Sequence, residues 1–180
     1  MVRARRTTGS VAGVRRFTRY IARARELGAA DARLIGPRDV VCAEWVRLKC
    51  QFGCDGFDGC YTCPPRSPTP AQTRRMLDEY AHLLLVHSTR RGSVSRLVVR
   101  LEREIFLDDH PKAFAWGAGP CPWCRTCDTS APCRHPEMAR PAMEAAGIDV
   151  FATARRAGFP IHVVKHGRDA QNYYGLIAIE

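Results

Sequence analysis

Apolar residues recur at helical spacing through Phe17, Tyr20, Ile21, Ala24 and Leu27, and Gly28 follows as a stop, which predicts a short amphipathic helix over 17–27. Gly36-Pro37 marks a turn, and Val40 to Leu48 has the composition of a strand with imperfect alternation. Thr69 stands as an N-cap with Pro70 at the first helical position and Gln72 completing a capping box, so a helix is expected from there to about Tyr80, with Met76, Leu77 and Tyr80 as its apolar stripe. The run His82 to His87 (HLLLVH) is apolar without alternation, the pattern of a strand buried on both faces. Val94, Leu97, Val98, Leu101 and Ile105 restore the helical period over 94–107, and Asp108, Asp109, His110 and Pro111 end it. Ala113 to Trp116 is a short strand candidate. Asp149 caps a helix through Arg156 that Gly158 closes. Ile161 to Val164 and Tyr174 to Ile179 then read as a terminal hairpin joined by a polar turn around Gly167 to Asn172.

This order predicts an α+β fold: a single domain with a mixed or antiparallel sheet, flanking helices and two cysteine-rich metal loops. The chain's 180 residues are enough to bury a core without covalent staples. Charge adds an N-terminal distinction. Eight arginines and no acid fall within the first 25 residues, leaving 20 basic against 18 acidic side chains in the rest. Residues 1–16 lack hydrophobic periodicity and read as a flexible basic arm, with 17–180 as the cysteine-rich domain. No apolar run reaches the ~20 residues of a membrane span, and the N-terminus has no apolar signal region, which leaves Arg5-Arg6 a weak twin-arginine candidate and a cytoplasmic location as the expectation.

The nine cysteines are what the packing pattern does not explain. Their odd number leaves one unpaired in any all-disulfide scheme. Cys121, Cys124, Cys127 and Cys133 lie in CPWCRTCDTSAPC, too polar and Pro-rich for a core element. A C-x2-C-x2-C run lets one tight loop turn three thiolates to a common centre, a spacing used for cubane iron–sulfur clusters, whereas structural zinc sites more often use two separated C-x2-C knuckles. Cys50, Cys54, Cys60 and Cys63 form a second group in KCQFGCDGFDGCYTC, where three glycines allow the backbone to fold tightly around a metal. Their spacing matches no common cluster pattern. Cys42, in the strand candidate, reads as a core thiol and a reserve ligand.

With both groups in view, the chain resembles the family of predicted metal-binding proteins called domain of unknown function 2284. The segments RLKCQFGC, CYTCPPRSPTP with its helix ending in DEY, GAGPCPWCRTC and CRHPEMARPAMEAAGIDVFATARRAGFP carry the resemblance, from about Val40 to the C-terminus. It implies cysteine-based metal binding of iron–sulfur type. Cys50, Cys54 and Cys63 match its upstream pattern, and Cys121, Cys124, Cys127 and Cys133 its downstream one. Cys60 has no mapped counterpart, so the upstream set is completed by Cys60, by Cys42 or by an exchangeable ligand.

The leading expectation is a protein carrying one or two 4Fe-4S clusters, one on Cys121, Cys124, Cys127 and Cys133 and the other on Cys50, Cys54, Cys60 and Cys63, working as an electron carrier or redox accessory to a partner protein. Cross-ligation between the groups is open, and Arg125 and Arg134 are placed to offset cluster charge. One alternative is a zinc-stabilised module whose basic arm contacts nucleic acid or an acidic partner. Another is a metalloenzyme with an open metal position and His110 or His135 as acid–base groups. No Ser-His-Asp logic, phosphate loop or dinucleotide fingerprint is present.

Overall fold

The computed structural model describes residues 11–180 except Arg91, with side chains from Arg16 onward. Its frame is a four-stranded sheet in the order β1-β2-β4-β3, formed by β1 (Asp31–Ile35), β2 (Leu83–Ser88), β3 (Phe114–Trp116) and β4 (Tyr173–Ala178). Every pairing is antiparallel: Leu85 stands opposite Arg33 on one side and Leu176 on the other, and Trp116 also faces Leu176. The C-terminal strand therefore lies inside the sheet, between β2 and β3.

Both faces of the sheet are covered, which explains the unbroken apolar run of β2. Leu84 and Val86 join Ala115 and Ile177 under α1 (Val11–Glu26) and α4 (Ser93–Leu107). Leu83 and Leu85 join Trp116, Tyr174 and Leu176 beneath α3 (Pro70–Leu77), Met143, Ile148 and α5 (Val150–Arg156). Alternate residues of one strand thus feed two cores, and all six residues of β2 are buried. The α3 and α5 starts are formed by the expected caps: Thr69 Oγ1 accepts from the Gln72 amide, and Asp149 Oδ1 from the Ala152 amide at 2.9 Å.

Four expectations are corrected. Val40 to Leu48 is not a strand: Cys42 makes an isolated bridge to Ile148, and the chain then enters α2 (Trp45–Gly53). Its apolar residues sit at helical as well as strand spacing, and only Val46 of α2 is buried. Ile161 to Val164 forms no strand, and β4 pairs instead with β2 and β3. The helix after Thr69 ends at Leu77, three residues before Tyr80. The first helix begins at Val11 rather than Phe17, so only residues 1–10 of the expected arm lie outside the described residues. The short strand β1 went unrecognised in DARLI.

The arginines of α1 serve the fold. Arg23 grips Glu104 at 2.7 Å and Glu26 at 2.8 Å, Arg19 pairs with Asp108 at 3.2 Å, and Arg25 with Asp31 at 2.7 Å. Contacts to these arginines hold Glu104 and Asp31 below the usual carboxylate range. No helix among the described residues is long and apolar enough to cross a membrane.

Gly147 fixes how α3 docks. It adopts φ +76°, and a Cβ there would lie 2.3 Å from Pro70 Cγ. Gly147→Ala should therefore cost about 1–3 kcal/mol from overpacking and roughly 1 kcal/mol more from the left-handed backbone. A fall in urea midpoint at unchanged slope measures it.

Candidate metal centre

The downstream cysteine loop is closed at its base before any metal enters. Gly117 donates to the Pro141 carbonyl at 2.9 Å and Met143 donates to the Gly117 carbonyl at 2.9 Å, so residues 117 and 141–143 clasp the two ends together. Ser95 of α4 pins the entry, its Oγ donating to the Ala118 carbonyl at 2.9 Å while the Ala118 amide lies 3.0 Å from that oxygen. Within the loop, Trp123 Nε1 donates to the Met138 carbonyl at 2.8 Å and Arg134 to the Thr126 carbonyl at 3.2 Å. Arg96 donates to the Pro122 carbonyl at 2.8 Å and stacks over the Trp123 ring at 4.8 Å. With no helix or strand between Gly117 and Pro141, these contacts and the cysteines define the loop's shape.

The upstream group begins on a helix rather than in a loop: Cys50 lies in the last turn of α2 and Cys54 is its C-cap. Gly53 is the helix's final residue, where the cost of a glycine is small. Turns then carry the chain through Cys60 and Cys63, with Asp58 donating its amide to the Pro64 carbonyl at 2.7 Å and paired through its carboxylate with Arg66. Cys54 and Cys63 flank Gly56: a Cβ on that glycine would lie 3.5 Å and 3.6 Å from their sulfurs. Ser67 Oγ donates to the Ala145 carbonyl at 2.6 Å, anchoring the far end of the segment.

Cys60 joins the two groups. The segment Cys60-Tyr61-Thr62 reaches into the downstream loop, and Tyr61 Oη donates to the Ala131 carbonyl at 2.6 Å. As a result Cys60, Cys121, Cys124, Cys127 and Cys133 line a single small cavity together with Thr62, Trp123 and His135. The sequence grouped Cys60 with Cys50, Cys54 and Cys63 and left cross-ligation open; the structure sets it at the cavity of the downstream cysteines. Tyr61, Thr62 and Trp123 are wall residues that the cysteine spacing did not single out, although an aromatic beside a cysteine in each loop was the available signal.

Electrostatics mark out the same residue. Burial raises the Cys60 thiol, but hydrogen bonds from Thr62, Cys127 and Cys63 outweigh it and bring the group below its ordinary range. Burial and the adjoining Cys60 push Cys63 up. Cys121 is raised by burial and its thiol neighbours, and Cys50 by burial, Cys54 and Glu144. Cys127 ends above its ordinary range although the Tyr61 amide lowers it, because burial and Cys60 act against that bond. Binding a metal through these groups must release protons.

All nine cysteines are free thiols. Cys42 stays apart, packed against the core and raised by burial. Of the histidine candidates, His135 lines the cysteine cavity. His110 does not: it is buried against Phe17 and Tyr20, with Nδ1 3.1 Å from Glu180.

The donor chemistry fits a thiophilic metal, but the thiols are not closed on an ion-sized centre. Among the described residues no three His, Cys, Asp or Glu side chains stand where one ion could bind them together. The cavity of about 20 Å³ has room for about one water, so the irregular loop must open to admit anything larger.

A family model described as predicted metal-binding protein (DUF2284) matches residues 33–179, which takes in both cysteine groups and the sheet except the first two residues of β1. Neither the curated proteins nor the solved structures contain a significant match.

Proposed function

The chain belongs to the DUF2284 family of predicted metal-binding proteins, and from that premise we propose that it carries two adjoining 4Fe-4S clusters and works as an electron carrier. Cys121, Cys124, Cys127 and Cys133 hold one cluster; Cys50, Cys54 and Cys63 hold the other, with Cys60 as its fourth thiolate at the junction. The observation that supports this reading is the insertion of Cys60-Tyr61-Thr62 into the downstream loop, which brings one thiol of the upstream group to the same cavity as Cys121, Cys124, Cys127 and Cys133. Structural zinc sites more often use two separated C-x2-C knuckles; the C-x2-C-x2-C run of Cys121, Cys124 and Cys127 is a spacing used for cubane clusters, and it favours iron–sulfur here.

Bound clusters supply one-electron redox chemistry, with a potential set by charge, hydrogen bonds to sulfur and exposure. The protein's contribution is the surround. The Tyr61 amide reaches Cys127 and the Gly56 amide lies 3.4 Å from Cys54 Sγ, so backbone dipoles already face thiolate positions. Arg134, bonded within the loop, opposes the negative charge gained on reduction.

Anaerobic purification followed by iron and sulfide analysis tests the proposal. The expected result is brown protein with about eight iron and eight sulfide per chain, whose visible absorption bleaches on reduction. Colourless protein holding zinc and no inorganic sulfide overturns it.

A further inference from the structure

A groove of about 490 Å³ opens beside Cys50 and Cys54 and shares no lining residue with the five-cysteine cavity. That size lies in the range of small-molecule sites, as does its lining of apolar and aromatic side chains around few polar groups. Trp45, Phe151, Ile161, Val163, Tyr173 and Tyr174 form the walls. Trp45 and Val163 are 49% and 65% exposed, a large apolar area left facing solvent on either side of the groove.

Among the polar groups at the groove, Glu144 stands out. Its Oε2 is sealed from solvent with no hydrogen-bond partner, although the residue as a whole is partly exposed. The other acid there is occupied: Asp149 Oδ1 caps α5. Asn172 Oδ1 meets His87 Nε2 at 2.8 Å. Lys49 and His162 also line the groove, yet the structure gives neither a contact with Glu144. A buried acceptor without a donor is costly, and a donor carried by a ligand recovers that cost.

We propose that this groove binds a small organic cation with an apolar or aromatic body, its primary ammonium group donating to Glu144 and its body packed between Trp45, Phe151 and Tyr173. Complementarity selects the class: a carboxyl acceptor at the base, aromatic faces that attract cations along the wall, and a mouth rich in exposed hydrocarbon. Bound there, the molecule lies beside Cys50 and Cys54, which line the same groove. The binding claim itself does not depend on which metal those thiols hold.

The test uses the full chain as purified, with 2-phenylethylammonium and its uncharged isostere propylbenzene as probes, measured by calorimetry or tryptophan fluorescence. The cation should bind at least tenfold more tightly than the isostere, and Glu144→Gln should remove that preference while leaving isostere binding unchanged. Trp45→Ala, at a half-exposed position, should weaken both probes. Equal affinity of the two probes, or a cation preference that survives Glu144→Gln with an unchanged unfolding midpoint, overturns the proposal. Iron analysis of the same samples keeps a failure here separate from a failure of the cluster reading.

Discussion

Replacing Cys127 with Ser should halve the iron content of the anaerobically purified protein, from about eight to about four per chain, and leave one cluster whose spectrum is that of the upstream set. Cys50→Ser should do the reverse. Cys60→Ser is the more informative change, because its thiol faces both groups: it meets Thr62 Oγ1 at 3.4 Å and lines the cavity of the downstream cysteines. Iron should again fall to about four per chain, since a hydroxyl is a poor substitute for the fourth thiolate. The remaining downstream cluster should also shift its potential, because a thiolate beside Cys127 has been replaced by a neutral group. Unchanged iron and an unchanged spectrum in Cys60→Ser would remove this residue from the ligand set and break the link between the loops. Tyr61→Phe separates the two roles of the segment: it deletes the bond to the Ala131 carbonyl and leaves every thiol in place, so it should lower cluster retention under oxygen without changing the anaerobic count.

How much of this could be read from the chain alone depended on the range of the forces involved. The caps at Thr69 and Asp149 are local hydrogen bonds, and both were legible. The buried run of β2 was legible because a strand covered on both faces needs apolar residues throughout. Val40 to Leu48 misled because apolar content there serves two purposes: Val40 enters the core, while Trp45 and Leu48 are exposed on a helix whose outer face borders the groove. Ile161 to Val164 misled for the same reason, its valines being exposed at that groove rather than paired in a sheet. The downstream cysteine loop announced itself through spacing, a property of one tight loop. Cys60 belongs to an arrangement 61 residues apart from Cys121, made by Tyr61 and Thr62, and no spacing rule reaches across that distance.

Arg140→Ala should be strongly destabilising, because it strands a buried carboxylate. Arg140 Nη2 lies 2.6 Å from Glu102 Oε1 and Nε lies 2.8 Å from Oε2, a two-pronged pair whose side chains are only 17% and 9% exposed. Glu102 Oε2 also accepts the Ala115 amide at 3.0 Å, so one carboxylate joins α4, β3 and the exit of the downstream loop. The guanidinium further donates to the Ala139 carbonyl at 3.0 Å and lies over the Phe114 ring at 5.2 Å. Removing one member of a buried pair costs about 3–5 kcal/mol, whereas removing both charges together is far milder, so Arg140→Met combined with Glu102→Gln should recover much of the loss while keeping an acceptor for Ala115. Urea unfolding of the three variants measures this directly. An Arg140→Ala penalty below about 1 kcal/mol would place the pair with weak surface bridges. Because Arg140 holds the segment that clasps Gly117 against Pro141, the same variant should release iron faster to a chelator than the double variant does, which ties the fold's one deeply buried ion pair among the described residues to the loop that gathers the thiols.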